Sequence, residues 1–283
     1  MRKLYTICMD GIIIIDKEKN LTSRDIVNKY SKKLGIKKIG HTGTLDPLAT
    51  GVLVLCVGKG TKLVDLITGY DKVYIAKVCL GLLTDTYDIT GNVLKGKEAK
   101  PTKNEIIEVL NSFEPGYEQE VPIYSAVKIS GKKLYEYARN NEKVELPKRY
   151  VQIKEIKLIS NIEYINGKTY FSFITTVSKG TYIRSLINDI GKKLNTYGTM
   201  VELRRVRQGN FKIEEASDNI ISIENVLKDY FKIEMNEELY KKISNGVKIK
   251  DEYNKEYVVF TYNKKVIALY KKEGDYLKSY KMF

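Results

Sequence analysis

Four short runs rich in β-branched and aromatic residues constrain this chain most: Ile12 to Ile15, Val52 to Val57, Val73 to Leu80 and Tyr170 to Val177. Each has the length of a strand, and the run nearest the start is far too short to span a bilayer or to act as an export signal. Between the runs lie segments with apolar residues at helical spacing. Thr22 or Ser23 caps a helix carrying Ile26, Val27, Tyr30 and Leu34, which stops at Gly35. After Pro101, Thr102-x-x-Glu105 forms a capping box ahead of Ile106, Val109, Leu110 and Phe113. Thr181 is placed to cap a helix with Ile183, Leu186, Ile187, Ile190 and Leu194, and Ser222 to open one with Ile223, Val226, Leu227 and Tyr230. Val73 to Leu80 alternates like a half-buried strand. Strands and helices do not alternate strictly, so the expected class is α+β with a mixed or antiparallel sheet, rather than a doubly wound α/β fold.

From about Glu234 the texture changes. Val258 to Tyr262 and Val266 to Tyr270 flank Asn263, Lys264 and Lys265 as a hairpin, and Tyr276 to Phe283 adds a strand. The expected division is a main body at residues 1–232 and a small β-rich domain at 233–283.

Composition narrows the chemistry. The three cysteines, Cys8, Cys56 and Cys79, show no CxxC spacing, and the last two sit in apolar strand-like runs as small buried hydrophobes. His41 is the single histidine, which excludes a zinc site built on His pairs and any Ser-His or Cys-His system that does not use His41. Acid-base or nucleophilic work therefore falls to carboxylates. Gly58-Lys59-Gly60-Thr61 lacks the glycine a P-loop needs five residues earlier, and no GxGxxG opens a helix, so no nucleotide cofactor site is expected. With 49 Lys+Arg against 35 Asp+Glu the formal net charge is +14, and 22 tyrosines offer flat faces for bases, a combination that suits a nucleic-acid partner.

Gly40-His41-Thr42-Gly43-Thr44-Leu45-Asp46-Pro47-Leu48-Ala49-Thr50-Gly51 is the most informative stretch. Glycines and threonines make a tight hydrogen-bonding loop, Pro47 fixes the backbone beside Asp46, and the strand at Val52 anchors it. On local physics alone, Asp46 reads more readily as a turn-capping residue than as a catalytic one.

The stretch GHTGTLDPLATGVL resembles the catalytic loop of the TruB family of tRNA pseudouridine synthases. Other blocks match in the same order: Ile15-Asp16-Lys17 with Thr22-Ser23; Lys72-Val73-Tyr74; Gly81 with Thr84-Asp85-Thr86 and Asp88; Pro122 with Tyr124-Ser125-Ala126, Lys128 and Gly131 to Arg139; Ser178 to Arg184; and Leu203-Arg204-Arg205. The resemblance covers nearly the whole chain and is weakest after about Lys212. Glu18 and Asn20 stand where the family has Pro and Gly, which implies a more flexible loop there.

The resemblance implies a pseudouridine synthase catalytic domain at residues 1–232 with an RNA-gripping thumb at about 123–151, and a PUA-like RNA-binding domain at 233–283. It implies isomerisation of a uridine, position 55 of the tRNA TΨC loop, by base flipping. Asp46 is the implied catalytic group, whether it adds to the base, attacks the sugar or removes a sugar proton. Tyr74 stacks on the base, Arg184 pairs with Asp46, and Leu203 lines the pocket. His41 fills space left by flipped nucleotides, and Asp88, Tyr124, Lys128, Lys132 and Lys133 contact substrate. Neither cofactor nor metal is implied, and a cytoplasmic monomer acting on the TΨC arm of tRNA is expected. Two other readings are a tRNA-folding chaperone in which Asp46 is structural, and an RNA-guided synthase, which the short C-terminal domain disfavours.

Overall fold

A computed structural model describes residues 9–283, so the reading of Cys8 lies outside the described residues. The body is one large, mostly antiparallel sheet. The eight strands of its main path in chain order are β1 (Gly11–Lys17), β2 (Thr50–Val57), β3 (Lys72–Leu80), β4 (Gly116–Glu120), β5 (Lys148–Leu158), β6 (Lys168–Val177), β7 (Gly198–Gln208) and β8 (Ile221–Ser222), with three short strands beside it. In space they run β8-β1-β2-β7-β3-β6-β5-β4. The pairing of β2 with β7 is parallel, through Arg204↔Thr50 and Arg205↔Gly51. There the two backbones come so close that a Cβ on Gly51 would lie 2.1 Å from the Arg205 carbonyl oxygen, and Gly51 has φ +102°. Only glycine meets both demands.

β3 lies between β6 and β7 and is buried on both faces along most of its length, so its expected half-buried alternation is corrected. Only Ile75 and Lys77, on the face turned away from the helices, stay half-buried.

Helix α1 (Ser23–Leu34) starts at the Thr22 capping box and ends at Gly35 in the left-handed conformation. It is followed by α2 (Val64–Thr68), α3 (Lys103–Asn111) with its Thr102 capping box, α4 (Leu134–Arg139) in the thumb segment, and α5 (Ile183–Lys193). Thr181 does not cap α5. Its hydroxyl donates to the Ser178 carbonyl instead. The start of the helix is held by Gln119 on β4, whose amide oxygen accepts from the Tyr182 N–H at 2.7 Å and whose amide nitrogen donates to the Tyr182 carbonyl at 3.0 Å. The helix opened by Ser222 is also shorter than its apolar spacing suggests, ending as α6 (Ile223–Val226).

One face of the sheet packs α1, α3 and α5 around Ile13, Leu53, Leu55, Phe171, Phe173, Leu186 and Ile187. The other face shares a single apolar cluster, with Ile12, Val54 and Ile67, with the C-terminal sheet, which contributes Val259, Val266 and Leu269. That second sheet contains β9 (Phe231–Glu234), β10 (Ile249–Lys250), β11 (Tyr257–Tyr262), β12 (Lys265–Glu273) and β13 (Tyr276–Met282), in the order β9-β11-β12-β13-β10. Asn263 and Lys264 both take positive φ in the tight turn between β11 and β12. Helix α7 (Glu237–Ser244) packs on this sheet, an element the strand-like texture of the tail does not reveal.

Candidate active site

Residues from distant blocks line one cleft of about 480 Å³. They include Asp46, Tyr74, Tyr124, Arg184, Leu203 and Arg205. At its centre the Arg184 Nε lies 3.0 Å from the Asp46 Oδ2, with the arginine side chain 7% exposed and the carboxylate 39% exposed. The other two guanidinium nitrogens are also used: one donates to the Thr86 carbonyl at 3.1 Å and one to the Tyr124 carbonyl at 3.0 Å. A planar fork with three fixed partners holds the carboxylate in one orientation.

The loop bearing Asp46 is braced from beneath by buried polar side chains. Ser23 accepts from the Leu45 N–H at 2.9 Å and donates back to the Leu45 carbonyl at 3.2 Å. The Gln208 amide nitrogen donates to the Thr42 carbonyl at 3.1 Å and to the Ile67 carbonyl at 3.0 Å. Arg205 is 1% exposed. It donates to the Val52 carbonyl at 2.6 Å and to the Gly43 carbonyl at 3.0 Å, and its third nitrogen lies 3.5 Å from the Tyr74 hydroxyl. One guanidinium thus ties the start of β2, the loop and Tyr74 together. Lys17, fully buried, donates to the Glu18 carbonyl at 2.9 Å and the Leu21 carbonyl at 2.7 Å. Burial drives its pKa down, and the Asp46 charge partly opposes this.

The segment with Glu18 and Asn20 is pinned rather than loosened. Asn20 occupies the left-handed region at φ 68° and its N–H donates to the Pro47 carbonyl at 2.8 Å. Asparagine is among the few residues that tolerate that conformation, so it replaces glycine without freeing the chain.

Four cations, Lys72, Lys179, Arg184 and Arg205, line the cleft against the single carboxylate of Asp46. The Lys72 ammonium donates to the Thr68 and Tyr70 carbonyls at 2.7 and 2.6 Å. Burial first, and then the Arg205 charge, pushes its pKa down to about 8. A cleft of this sign draws in a polyanion.

The remaining sequence-selected residues fall elsewhere. His41 ends a short strand, Ile39–His41, beside β2 and does not line the cleft, and burial lowers its pKa. Asp88 is 6% exposed and its carboxylate accepts from Thr86 and Thr90 within its own turn, outside the cleft. That turn presents the Thr86 carbonyl to Arg184, so Asp88 acts on the site through the turn it organises. Lys128 is exposed on the thumb, Lys132 pairs with Glu142 at 2.6 Å, and the Lys133 ammonium donates to the Tyr135 hydroxyl at 3.1 Å. Among the described residues, no group of three His, Cys, Asp or Glu side chains converges to hold a metal. Burial pushes the Cys56 thiol up to about 12, in keeping with a packed hydrophobe.

The fold is shared with chains in two solved structures. It matches the structure titled "Structure of H/ACA RNP bound to a substrate RNA containing 2'-deoxyuridine" with a TM-score of 0.66 and 22% identity, over 98% of this chain and 86% of that one. It matches "Crystal Structure of a Cbf5-Nop10-Gar1 Complex" with a TM-score of 0.67 and 23% identity, over 96% and 85%. Residues 31–183 fit the model for the N-terminal domain of the TruB family pseudouridylate synthases, and residues 184–245 fit the tRNA pseudouridylate synthase B C-terminal domain. The tRNA pseudouridine synthase B of Lactobacillus acidophilus is 44% identical over 94% of this chain and 95% of its own length. The Clostridium kluyveri protein of the same name is 45% identical over 86% of each. The chain belongs to the TruB family of pseudouridylate synthases.

Proposed function

We propose that the uridine this chain isomerises in tRNA is position 55 of the TΨC loop, and that Asp46 is the catalytic carboxylate. The observation carrying this reading is the Asp46–Arg184 pair at 3.0 Å inside a cleft rimmed with cations. The reaction breaks the bond from C1′ to N1 and makes one from C1′ to C5, while the C5 proton is lost and N1 gains one. Atoms and electrons balance without a redox partner. The target base leaves its stack and enters the cleft, where the Tyr74 ring lies against it and Leu203 closes the apolar side. Arg184 keeps Asp46 ionised and aimed while the carboxylate acts on base or sugar. Tyr124, Lys128, Lys132 and Lys133 hold the phosphate backbone from the thumb, and the β9–β13 sheet serves as a PUA-like RNA platform. The enzyme acts as a cytoplasmic monomer on the TΨC arm. No helix among the described residues is long and apolar enough to cross a membrane.

Incubation with an unmodified tRNA transcript, followed by position-by-position mapping, tests this reading. Pseudouridine at position 55 alone is expected. Modification elsewhere, or none, overturns it.

A further inference from the structure

The first turn of α5, which carries Arg184, has no cap of its own. The side chain of Tyr182, the residue before it, makes no capping bond, and the Thr181 hydroxyl is turned back to Ser178. An uncapped start leaves the first N–H groups of a helix without partners. What holds this one is Gln119, fully buried on β4.

The Gln119 amide is bonded at both ends. Its oxygen accepts from the Tyr182 N–H at 2.7 Å, and its nitrogen donates to the Tyr182 carbonyl at 3.0 Å and to the Tyr117 hydroxyl at 2.7 Å. Turned over, the amide would set its two donors against an N–H, so its orientation is fixed by its partners. The Tyr117 hydroxyl in turn donates to the Asp189 Oδ2 at 3.2 Å, farther along α5. Strand β4 therefore grips the helix twice, before Arg184 through the backbone and after it through Asp189. The same segment runs on to Tyr124, whose carbonyl takes one nitrogen of the Arg184 guanidinium.

We propose that Gln119 is a positioning residue for the isomerisation. By binding both polar groups of the Tyr182 backbone it sets the first turn of α5, and with it the line along which Arg184 meets Asp46. This rests on Asp46 and Arg184 being the working pair, as set out above. Gln119 does not line the cleft and acts only through Tyr182, which does. Catalytic groups displaced by about an ångström lose about a hundredfold in rate, so a bond far from the substrate can govern the chemical step.

The test measures single-turnover rate at saturating unmodified tRNA, tRNA Kd and melting temperature together. Gln119→Leu makes neither bond to Tyr182 and should lose roughly ten- to a hundredfold in rate, with Kd within a few-fold of the wild type. Ile190→Ala is the control. It opens a cavity under the same helix, away from the cleft, and should lower the melting temperature at least as far while the rate stays at the wild-type level. Gln119→Glu separates positioning from packing. A protonated carboxyl offers Tyr182 the same donor and acceptor as the amide, whereas a carboxylate offers acceptors alone. Its rate relative to the wild type should therefore approach one at acid pH and fall as pH rises. The ionisable groups about this position are Tyr117 on β4, whose pKa burial raises, Arg149 opposite on β5, and Asp189 and Lys192, paired at 2.9 Å on α5. Asp46→Asn is assayed alongside, and activity in that variant rejects the catalytic pair itself. With Asp46→Asn inactive, a wild-type rate in Gln119→Leu, an equal loss in Ile190→Ala, or a Gln119→Glu ratio that does not change with pH overturns the role given to Gln119.

Discussion

The loop that carries Asp46 and the thumb that faces it follow opposite plans. The loop is short and held by four side chains from three other segments: Lys17, Ser23, Arg205 and Gln208 all make hydrogen bonds to it, and all four are buried. The thumb uses its charges on itself at the surface. Lys132 pairs with Glu142 and sits 4.6 Å from the Tyr137 ring centroid, while Lys133 and Arg139 each lie 5.3 Å from that of Tyr135. Leu134 at the start of α4 anchors it from within, fully buried. Chemistry demands a carboxylate fixed to a fraction of an ångström, whereas gripping a phosphate backbone tolerates adjustment. Buried bonds are costly to break and surface pairs are not. The two regions should therefore respond very differently to mutation.

The largest expected effect is at the loop's centre. Asp46→Asn should abolish turnover while tRNA affinity stays within a few-fold, since the amide keeps the shape but not the charge. Single-turnover assays beside filter binding check both halves, and appreciable activity would remove Asp46 from its role.

Next come the braces. Gly51→Ala forces a Cβ against the Arg205 carbonyl oxygen at φ +102° and should cost on the order of 3 kcal/mol in denaturant titration. Arg205→Met leaves the Val52 and Gly43 carbonyls without their donor and should cost about 2–5 kcal/mol. Near-normal stability in both variants would mean that the bracing is dispensable.

The smallest stability effects belong to the thumb. Lys132→Gln with Lys133→Gln should shift stability by under about 1 kcal/mol. The same pair should lower the slope of log affinity against log salt by about two, the change expected if each lysine touches one phosphate. An unchanged slope would make these lysines a solvated surface.

Legibility in the sequence followed distance along the chain. The caps at Thr22 and Thr102 and the stop at Gly35 are local devices, and their spacing displays them. The loop motif and the Arg184 block stood out in the same way. Arg205 and Gln208 sat in or beside a recognisable block, yet their partners Gly43 and Thr42 lie far earlier in the chain, so no periodicity exposes the bracing. The cap of α5 was missed because Gln119, on another strand, supplies it. Asn20 carried a readable signal, since asparagine in place of glycine preserves a left-handed turn. Asp88 was legible as part of a motif, but the link from its turn to the cleft was not, because it runs from the Thr86 carbonyl to Arg184, far along the chain.

One measurement tests most directly whether chemistry rests on the braced pair and grip on the thumb: the single-turnover rate and tRNA Kd of Arg184→Lys, measured together. Lysine retains the charge but cannot reach Asp46, Thr86 and Tyr124 at once. The rate should fall about a hundredfold, with Kd within a few-fold of the wild type. A normal rate with weakened binding would make Arg184 a phosphate ligand and contradict the account.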